Sequence, residues 1–133
     1  MSGSVREVMV TVPKVTPADA TVAELRAFFA NDHVHAALLV DGERLVAVVE
    51  RADLAGHADT VAGREVGRLD DRVVAVDADA ERVRLELAAA GRRRLAVLDA
   101  DGGLVGLLCL KRSGTGFCDD DGVAARAAER GGC

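Results

Sequence analysis

The residues best suited to chemistry in this sequence follow two related apolar stretches. Residues 45–54 read Leu-Val-Ala-Val-Val-Glu-Arg-Ala-Asp-Leu, and a degenerate copy, Leu-Val-Gly-Leu-Leu-Cys-Leu-Lys-Arg, occupies residues 104–112. A continuous apolar run of this length, rich in branched residues, predicts a buried strand. Each copy turns polar where the strand would leave the core, so a binding site is expected at these two polar ends.

Two histidines invite a metal-binding interpretation. His33 and His35 are alternate residues, so on a strand they would share a face, and imidazole is a common metal ligand. The sequence supplies no third His, Cys or carboxylate at a fixed spacing that would complete a site. We therefore predict ordinary histidines at the start of a strand, a surface position for His57, and no metal site.

Catalytic arrangements are not evident in the sequence. The three cysteines, Cys109, Cys118 and Cys133, lack Cys-x-x-Cys spacing, which argues against a zinc site or a disulfide framework and for a reducing compartment. No Ser-His-Asp, Cys-His or paired-carboxylate set emerges in a register that would build an active site. We expect no catalytic residues, and we expect that the protein is not an enzyme.

The charge balance limits the classes of partner. The 133 residues carry a formal net charge of −5, which disfavours non-specific attraction to nucleic acid or anionic lipid. Aromatic residues make up only 2%, so platforms for base stacking are nearly excluded. The three arginines at residues 92–94 are an anion site or the solvated edge of a strand; we favour the edge, with Arg93 as the exception worth testing.

The hydropathy pattern indicates a soluble protein. The first residues have no basic region followed by an apolar segment, and no later apolar run approaches membrane-spanning length. We expect a cytoplasmic location and no association with membranes.

The elements that must hold the candidate residues can be predicted along the chain. Two prolines make residues 12–17 extended, and Thr-Val-Ala-Glu at residues 21–24 matches a capping box that begins a helix. An apolar face of that helix is formed by Val22, Leu25, Phe28 and Phe29. A hairpin of two strands around an Asp-Gly turn, a short helix and a polar connector follow at residues 36–49, 51–57 and 59–71.

The second half repeats this order. It reads as an extended segment, a helix stopped by a glycine, and two strands around a turn, at residues 72–76, 79–90, 95–98 and 104–110. Leu25 is matched by Leu85, Asp41 by Asp99 and Leu45 by Leu104, so the spacing between the copies is nearly constant. Two copies predict a tandem duplication packed on itself. A short helix is predicted in the tail at residues 123–130, either docked or frayed.

This order of elements, repeated once, resembles a tandem pair of CBS (cystathionine β-synthase) domains. In the first repeat the match is carried by residues 16–22, Thr-Pro-Ala-Asp-Ala-Thr-Val, by residues 38–42, Leu-Leu-Val-Asp-Gly, and by residues 45–54. Val-Arg-Glu-Val-Met at residues 5–9 is similar to the family's leading segment. The second copy is matched by residues 91–98 and 103–108, so the resemblance covers residues 5–112.

The resemblance implies an α+β (mixed α/β) fold of the stand-alone Bateman-module type. Two βαββα-like repeats would pack about a pseudo-two-fold axis, with the first repeat at residues 5–58, a connector at 59–71, the second repeat at 72–112 and a tail at 113–133. The family binds adenosyl ligands such as AMP, ATP or S-adenosylmethionine in clefts between its repeats. Its modules pair into flat discs, so the resemblance also implies a homodimer, and it implies no other cofactor.

The family's site motif is Gly-apolar-x-Thr/Ser-x-x-Asp. In that motif the Gly lets the backbone approach the ligand, the hydroxyl faces phosphate and the Asp holds the ribose hydroxyls. The resemblance places Ala47 at the Gly position and Glu50 at the Thr position, and it retains Asp53. Only the ribose contact is therefore kept in the first repeat.

The second copy of the motif departs from the family in a different way. Gly106 is retained, Cys109 stands at the Thr position and Arg112 stands at the Asp position. The second repeat thus keeps the close approach and loses the ribose acceptor. Neither implied site is complete.

Glu50 changes the ligand that the first site is expected to accept. Its carboxylate stands where a phosphate would lie, and two like charges a few ångströms apart disfavour each other by roughly a few kcal/mol. A neutral or cationic adenosyl ligand, or none, suits this position better. His35 occupies a position that in the family lies near the cleft. Cationic side chains bind phosphate and could offset the charge of Glu50. The candidates are Lys14, Arg51, Arg93 and Arg112.

Two functional hypotheses follow from the resemblance. In the first, the chain is a regulatory module that senses an adenosyl ligand and signals through self-association or through a protein partner. In the second, it is a ligand-free dimerisation scaffold whose nucleotide sites are eroded. Asp53 favours the first hypothesis and the incomplete motifs favour the second.

Overall fold

The computed structural model describes residues 3–11, 13–32, 34–111, 113, 116 and 117. The chain divides into two compact units: Lys14–Asp70, here called the first-repeat unit, and Met1–Pro13 with Asp71–Cys133, here called the second-repeat unit. Each unit contains a three-stranded sheet and short helices. The predicted α+β fold class is therefore confirmed.

The helices and strands follow one another in a repeated order. In the chain they are α1 (Val5–Val8), β1 (Thr16–Pro17), α2 (Val22–Phe29), β2 (Ala36–Asp41), β3 (Arg44–Glu50), a 3-10 helix (Arg51–Leu54), α3 (Gly63–Val66), β4 (Val73–Ala75), α4 (Ala80–Ala90), β5 (Arg94–Leu98) and β6 (Leu104–Cys109). The short helix predicted at residues 51–57 is thus a single 3-10 turn.

The two sheets have the same topology. In the first-repeat unit β1 runs parallel to β2, and β2 pairs antiparallel with β3. In the second-repeat unit β4 runs parallel to β5, and β5 pairs antiparallel with β6. The register of each hairpin shifts at one point, between Leu39 and Val40 and between Val97 and Leu98. These irregularities hold equivalent places in the two hairpins, so the duplication extends to a detail of strand pairing.

Side-chain caps begin the two longer helices. The Glu24 backbone N–H donates to Thr21 Oγ1 at 3.3 Å, and the Thr21 N–H donates to Glu24 Oε1 at 3.1 Å. This is the predicted capping box, which satisfies amides that have no helical partner. At α4 the Arg82 N–H donates to Asp79 Oδ2 at 2.9 Å. The predicted stop is Gly91, which adopts a left-handed conformation with φ 69°.

Each long helix packs its apolar face on the sheet of its own unit. In the first-repeat unit the buried core comprises Ala20, Val22, Leu25, Phe29, Ala37, Leu39, Ala47, Val49 and Leu54. In the second-repeat unit it comprises Val5, Met9, Val76, Val83, Leu87, Val97, Leu108 and Leu110. Both cores consist mainly of aliphatic side chains.

The predicted equivalence of Leu25 and Leu85 is wrong. Leu25 is fully buried, whereas Leu85 is 55% exposed on α4. The two helices begin at equivalent caps, Thr21 and Asp79, and counting from these caps pairs Leu25 with the buried Val83. Residue type alone suggested Leu85, but the burial pattern of the two helices requires the earlier position.

The segments predicted as a lead and a connector both contain a helix. The connector was expected to be irregular, but it forms α3, which is the counterpart of α1. The Gly63 N–H donates to the Ala20 carbonyl at 2.7 Å, and the Val5 N–H donates to the Ala78 carbonyl at 2.9 Å. Helix α3 therefore packs in the first-repeat unit and α1 packs in the second-repeat unit.

The residues after each short helix add one bridge to the last strand of the sheet. The Val10 N–H donates to the Leu107 carbonyl at 2.8 Å, and the Val48 N–H donates to the Arg68 carbonyl at 3.0 Å. The sequence carried a sign of this relationship, because the tripeptide Arg-Glu-Val occurs at residues 6–8 and again at 64–66. Residues 3–10 and 61–68 are therefore equivalent parts of the duplication.

The two units differ after their last strands. In the first-repeat unit β3 continues into the 3-10 helix. In the second-repeat unit Leu110 forms a bridge with Phe117, and the Lys111 N–H donates to the Gly116 carbonyl at 2.9 Å. Phe117 also packs against the core of that unit. The predicted helix at residues 123–130 lies outside the described residues.

Gly106 is required by close packing of the leading segment. A Cβ at this position would lie 2.5 Å from Met9 Sδ and 2.7 Å from the Val10 carbonyl oxygen. In the first-repeat unit Gly67 takes the place of Met9, and Ala47 takes the place of Gly106. The strand residue therefore has the larger side chain of the pair there, whereas in the second-repeat unit Met9 has it. Core packing of this kind tolerates exchanges of volume better than additions.

We predict that Gly106→Ala lowers the free energy of unfolding by roughly 1–3 kcal/mol, because the Val10 backbone cannot move away as a flexible side chain would. Urea denaturation measures the change. Adding Met9→Ala should restore only part of the loss, since it removes the contact with sulfur and leaves the contact with the carbonyl.

Gly116→Ala is the matched control for Gly106→Ala, since no atom of the described residues lies within 4 Å of the added carbon. Equal stability of Gly106→Ala and the unsubstituted protein would contradict this account of the packing.

Candidate functional site

The strand register places four candidate residues at one end of the sheet in the first-repeat unit. Ala36, the first residue of β2, pairs with Glu50, the last residue of β3, so His35 lies beside the polar end of β3. Strand β1 runs parallel to β2, and Lys14 precedes it at the same end. Asp53 follows in the 3-10 helix. Lys14 and His35 are exposed, whereas Glu50 and Asp53 are partly buried.

The Asp53 carboxylate caps the 3-10 helix. Glu50 is the N-cap residue, with extended backbone angles of φ −107° and ψ 159°. Its N–H donates to Asp53 Oδ2 at 2.8 Å. A side-chain acceptor three residues after the cap position satisfies an amide that otherwise has no partner. The local sequence Glu-Arg-Ala-Asp therefore sets the position of the carboxylate relative to the 3-10 helix.

The Arg51 guanidinium binds backbone carbonyls at the end of α2. Its Nη1 donates to the Phe29 carbonyl at 2.6 Å, and its Nη2 donates to the carbonyls of Val34 at 3.0 Å and Asn31 at 3.3 Å. The guanidinium carbon also lies 5.2 Å from the centroid of the Phe29 ring. Arg51 was expected to be available for phosphate, but in this structure it holds the end of α2 and the loop that follows.

Arg26, which the sequence did not single out, holds the other end of the 3-10 helix. Its Nη2 donates to the carbonyls of Leu54 at 2.9 Å and His57 at 2.7 Å, and its Nη1 pairs with the Asp59 carboxylate. A surface ion pair of this exposure contributes little to stability by itself.

An open groove of about 350 Å³ lies beside the 3-10 helix and is lined by Arg26, Phe29, Ala30, Arg51, Leu54 and Ala55.

Lys14 contacts an aromatic ring at the same end of the unit. Its Nζ lies 5.5 Å from the centroid of the Phe28 ring. The rings of Phe28 and Phe29 meet edge to face, with centroids 5.6 Å apart. Exposed cation–π contacts contribute on the order of 0.5–1 kcal/mol. The ammonium group is therefore held near the candidate site by a weak interaction that a stronger anionic partner could replace.

The structure places the two motif positions expected to approach a ligand against apolar cores. Ala47 is buried in the core of the first-repeat unit. Gly106 is buried in the second-repeat unit, where Met9 and Val10 occupy the space beside it. Both residues therefore have a packing role within their own units.

Arg93 and Cys109 lie at the corresponding end of the second sheet. Arg94 pairs with Cys109 across β5 and β6, and Cys109 is buried. Arg93 Nε donates to the Leu110 carbonyl at 3.2 Å, and the Leu110 N–H donates to the Arg93 carbonyl at 2.7 Å. Arg112 lies outside the described residues. The structure thus brings Arg93 and Cys109 to the same end of the sheet.

The pKa of Glu81 is shifted by an arginine on the same helix. Arg84 Nε donates to Glu81 Oε2 at 2.9 Å. This hydrogen bond lowers the pKa of Glu81 and raises the pKa of Arg84. The lowered pKa means that the pair stabilises the fold above the unfolded pKa of Glu81 and that this contribution is lost as the pH falls. Both groups are on the surface of α4.

The described ranges contain neither a metal-binding cluster nor a helix that could cross a membrane. Within these ranges no group of three or more His, Cys, Asp or Glu side chains is placed to hold a metal ion. His33, one of the two histidines considered for such a site, lies outside them. None of the helices in the described ranges has the length and apolar character that a bilayer crossing requires.

Comparison with protein families identifies the first repeat. Residues 5–59 match the CBS domain family. No curated protein matches the sequence significantly. The chain therefore contains a CBS domain.

Solved structures share the fold over most of the chain. The putative acetoin utilization protein AcuB from Vibrio cholerae is 18% identical, covers 97% of this chain and 93% of its own, and superimposes with a TM-score of 0.68. A CBS domain protein from Pyrobaculum aerophilum, complexed with AMP, is 20% identical over 83% of this chain and 93% of its own, with a TM-score of 0.65.

The cytosolic domain of the Mg²⁺ channel MgtE, in complex with ATP, is 24% identical and covers 77% of this chain, with a TM-score of 0.63. This chain spans only 44% of that domain and 64% of a CBS-pair domain from a putative Mg²⁺ transporter of Shewanella oneidensis. The chain has the fold of a CBS-domain pair.

We predict that Asp53→Ala lowers the free energy of unfolding by about 1 kcal/mol, because the Glu50 amide loses its acceptor. Asp53→Asn should cost clearly less, since its amide oxygen can still accept that hydrogen bond. Chemical denaturation at neutral pH compares the three proteins. If Asp53→Ala were as stable as the unsubstituted protein, the carboxylate would not be acting as a cap.

Proposed function

We propose that the chain is a regulatory module that binds an adenosyl ligand of the AMP, ATP or S-adenosylmethionine class. The observation that carries this proposal is Asp53, which stands at the ribose-binding position of the family motif and is fixed by its hydrogen bond to the Glu50 amide at 2.8 Å. The Pyrobaculum protein and the MgtE domain, which share the fold, were solved with AMP and with ATP.

The chemistry of the proposed site begins with ribose recognition. A carboxylate has about four acceptor positions on its two oxygens, and the cap uses one of them. Charge-assisted hydrogen bonds from ribose hydroxyls to such a carboxylate are stronger than those between neutral groups. The proposal requires that the 3-10 helix keep the carboxylate at the end of the sheet when the ligand binds.

The charges around Asp53 determine which part of a ligand can lie beside it. Glu50 is partly buried at the end of β3, so a phosphate next to it would be repelled. Lys14 and His35 are exposed at the same sheet end and supply positive or neutral partners for a group further from Glu50. Ala47 is a further proposed contact at its motif position in this unit. Arg93, Gly106 and Cys109, with Arg112 beyond the described residues, are proposed contacts of the equivalent site in the second-repeat unit.

The proposed role is regulatory rather than catalytic. Ligand binding would change the association of the chain with itself or with a protein partner in the cytoplasm. Anything that binds the folded state alone stabilises it, and a ligand at 100 times its Kd contributes about 2.7 kcal/mol. Ligand binding is therefore measurable before any partner is known.

We predict that at least one of four ligands raises the melting temperature of the protein when each is tested separately. The four ligands are AMP, ATP, NADH and S-adenosylmethionine. The ligand-dependent rise should be lost in Asp53→Ala and kept in Asp79→Ala, because both variants lose a helix cap but only Asp53 is at the proposed site. Differential scanning calorimetry makes the comparison.

Stabilisation by none of these four ligands would count against the proposal. An equal rise in melting temperature for Asp53→Ala and Asp79→Ala would contradict the assignment of Asp53.

A ligand-free dimerisation scaffold is the second candidate function. It is favoured by the packing of Ala47 and Gly106 within their own cores and by the use of Arg51 to hold backbone carbonyls. On this account the motif positions persist because they stabilise the fold.

Self-association is expected under both candidate functions. We predict a homodimer in analytical ultracentrifugation across micromolar concentrations. A strict monomer at every concentration would exclude signalling through self-association and would contradict the scaffold hypothesis.

A further inference from the structure

Two arginines fasten the 3-10 helix that carries Asp53 to helix α2. Arg51, in the first turn of the 3-10 helix, reaches the carbonyls of Phe29, Asn31 and Val34. Arg26, on α2, reaches in the opposite direction to the Leu54 carbonyl at the end of the 3-10 helix. The two contacts run in opposite directions, so both ends of the short helix are held against the same longer helix.

The Phe29 carbonyl, which Arg51 binds, is the last of α2. The last carbonyls of a helix have no amide to bind within the helix, and the planar guanidinium presents five donors in a fixed geometry. Arg51 binds the Phe29 carbonyl at the end of α2 and the carbonyls of Asn31 and Val34 in the loop that follows, and its guanidinium carbon lies 5.2 Å from the Phe29 ring centroid. A lysine has a single ammonium on a flexible chain, so it cannot reproduce this arrangement.

The second-repeat unit provides an internal comparison. Arg84 holds the position on α4 that Arg26 holds on α2, but its guanidinium pairs with Glu81 on its own helix. Leu110 follows β6 directly, as Arg51 follows β3, and it forms a bridge with Phe117. In the first-repeat unit Arg26 and Arg51 hold both ends of the 3-10 helix, an arrangement here called the clasp. The equivalent positions of the second-repeat unit carry the Arg84–Glu81 ion pair and the Leu110–Phe117 bridge.

The proposed ribose acceptor depends on this clasp for its position. Asp53 lies two residues after Arg51 and one residue before Leu54, so it stands between the two points at which the 3-10 helix is held. Release of either point would let the short helix turn or fray, and a single turn has little stability of its own. Preorganised acceptors bind better than acceptors that must be ordered when the ligand arrives.

We propose that Arg26 and Arg51 are positioning residues that determine the recognition of ribose hydroxyls by Asp53. This inference rests on the proposed function, since it assigns the selectivity of the same site. The two arginines act through the 3-10 helix and do not contact the ligand.

The test compares nucleotides that differ only in their ribose hydroxyls. Isothermal titration calorimetry, well below the melting temperature, would measure AMP and ATP, each beside its 2′,3′-dideoxy counterpart. The unsubstituted protein should favour the hydroxylated nucleotide by about tenfold or more, as expected for hydrogen bonds to a charged group. Arg51→Gln and Arg26→Gln should bring that ratio close to one.

The ratio separates positioning from a general loss of stability. A variant that is merely less stable, but folded by circular dichroism at the titration temperature, would keep the same preference for hydroxylated nucleotides. Arg84→Gln is the matched control, because it removes the equivalent arginine and its hydrogen bond in the second-repeat unit; its ratio should remain that of the unsubstituted protein. If the Gln variants do not fold, Arg26→Lys and Arg51→Lys keep the charge and should still lower the ratio.

The outcomes distinguish this inference from the proposed function. Binding of neither nucleotide by the unsubstituted protein would overturn this inference, and the proposed function would fall with it if S-adenosylmethionine and NADH also failed to raise the melting temperature. Binding with the expected ratio in the unsubstituted protein, and an unchanged ratio in folded Arg26 and Arg51 variants, would overturn the positioning role alone. A ratio lowered equally by Arg84→Gln would also overturn it, because the effect would then not be specific to the clasp.

Discussion

The hydrogen bonds that Arg51 donates to three backbone carbonyls are the constraint on which the candidate site depends. They satisfy carbonyl groups at and beyond the end of α2, and they hold the loop before β2 against the start of the 3-10 helix. The Asp53 carboxylate caps that same helix, so its position follows from them. Arg26 secures the other end. The end of the sheet is thus organised by side-chain donors that bind backbone acceptors.

The duplication explains both the likeness and the difference of the two units. Caps, strand irregularities and short helices recur at equivalent positions, and each short helix supplies its unit with a further bridge to the last strand. The units also diverge where the last strand ends: β3 leads into a capped 3-10 helix, whereas β6 is followed by the Leu110–Phe117 bridge. The first-repeat unit therefore has a carboxylate, Asp53, held just after its last strand. The described residues of the second-repeat unit provide no carboxylate at the equivalent place.

Local patterns were sufficient to predict the hairpins, the capping box at Thr21 and the helix stop at Gly91, because each depends on neighbouring residues alone. Helix α3 was missed because a single short turn bounded by Gly63 and Gly67 carries no apolar periodicity; both glycines are required by close approach of backbone from elsewhere in the unit. Arg26 and Arg51 could not be distinguished from surface arginines by type or spacing, since their acceptors are distant in the sequence. The motif position of Asp53 could be predicted from resemblance, but the clasp that holds it required the tertiary structure.

The central claim is that Asp53 and the 3-10 helix receive an adenosyl ligand. The most direct measurement is a titration of the uniformly ¹⁵N-labelled chain with AMP, followed by the backbone amide resonances in NMR spectra. The Glu50 amide, which donates to Asp53, and the amides of the 3-10 helix should shift progressively and reach saturation. Amides of residues 50–54 that remain unchanged at saturating AMP, or shifts confined to other parts of the chain, would contradict the account.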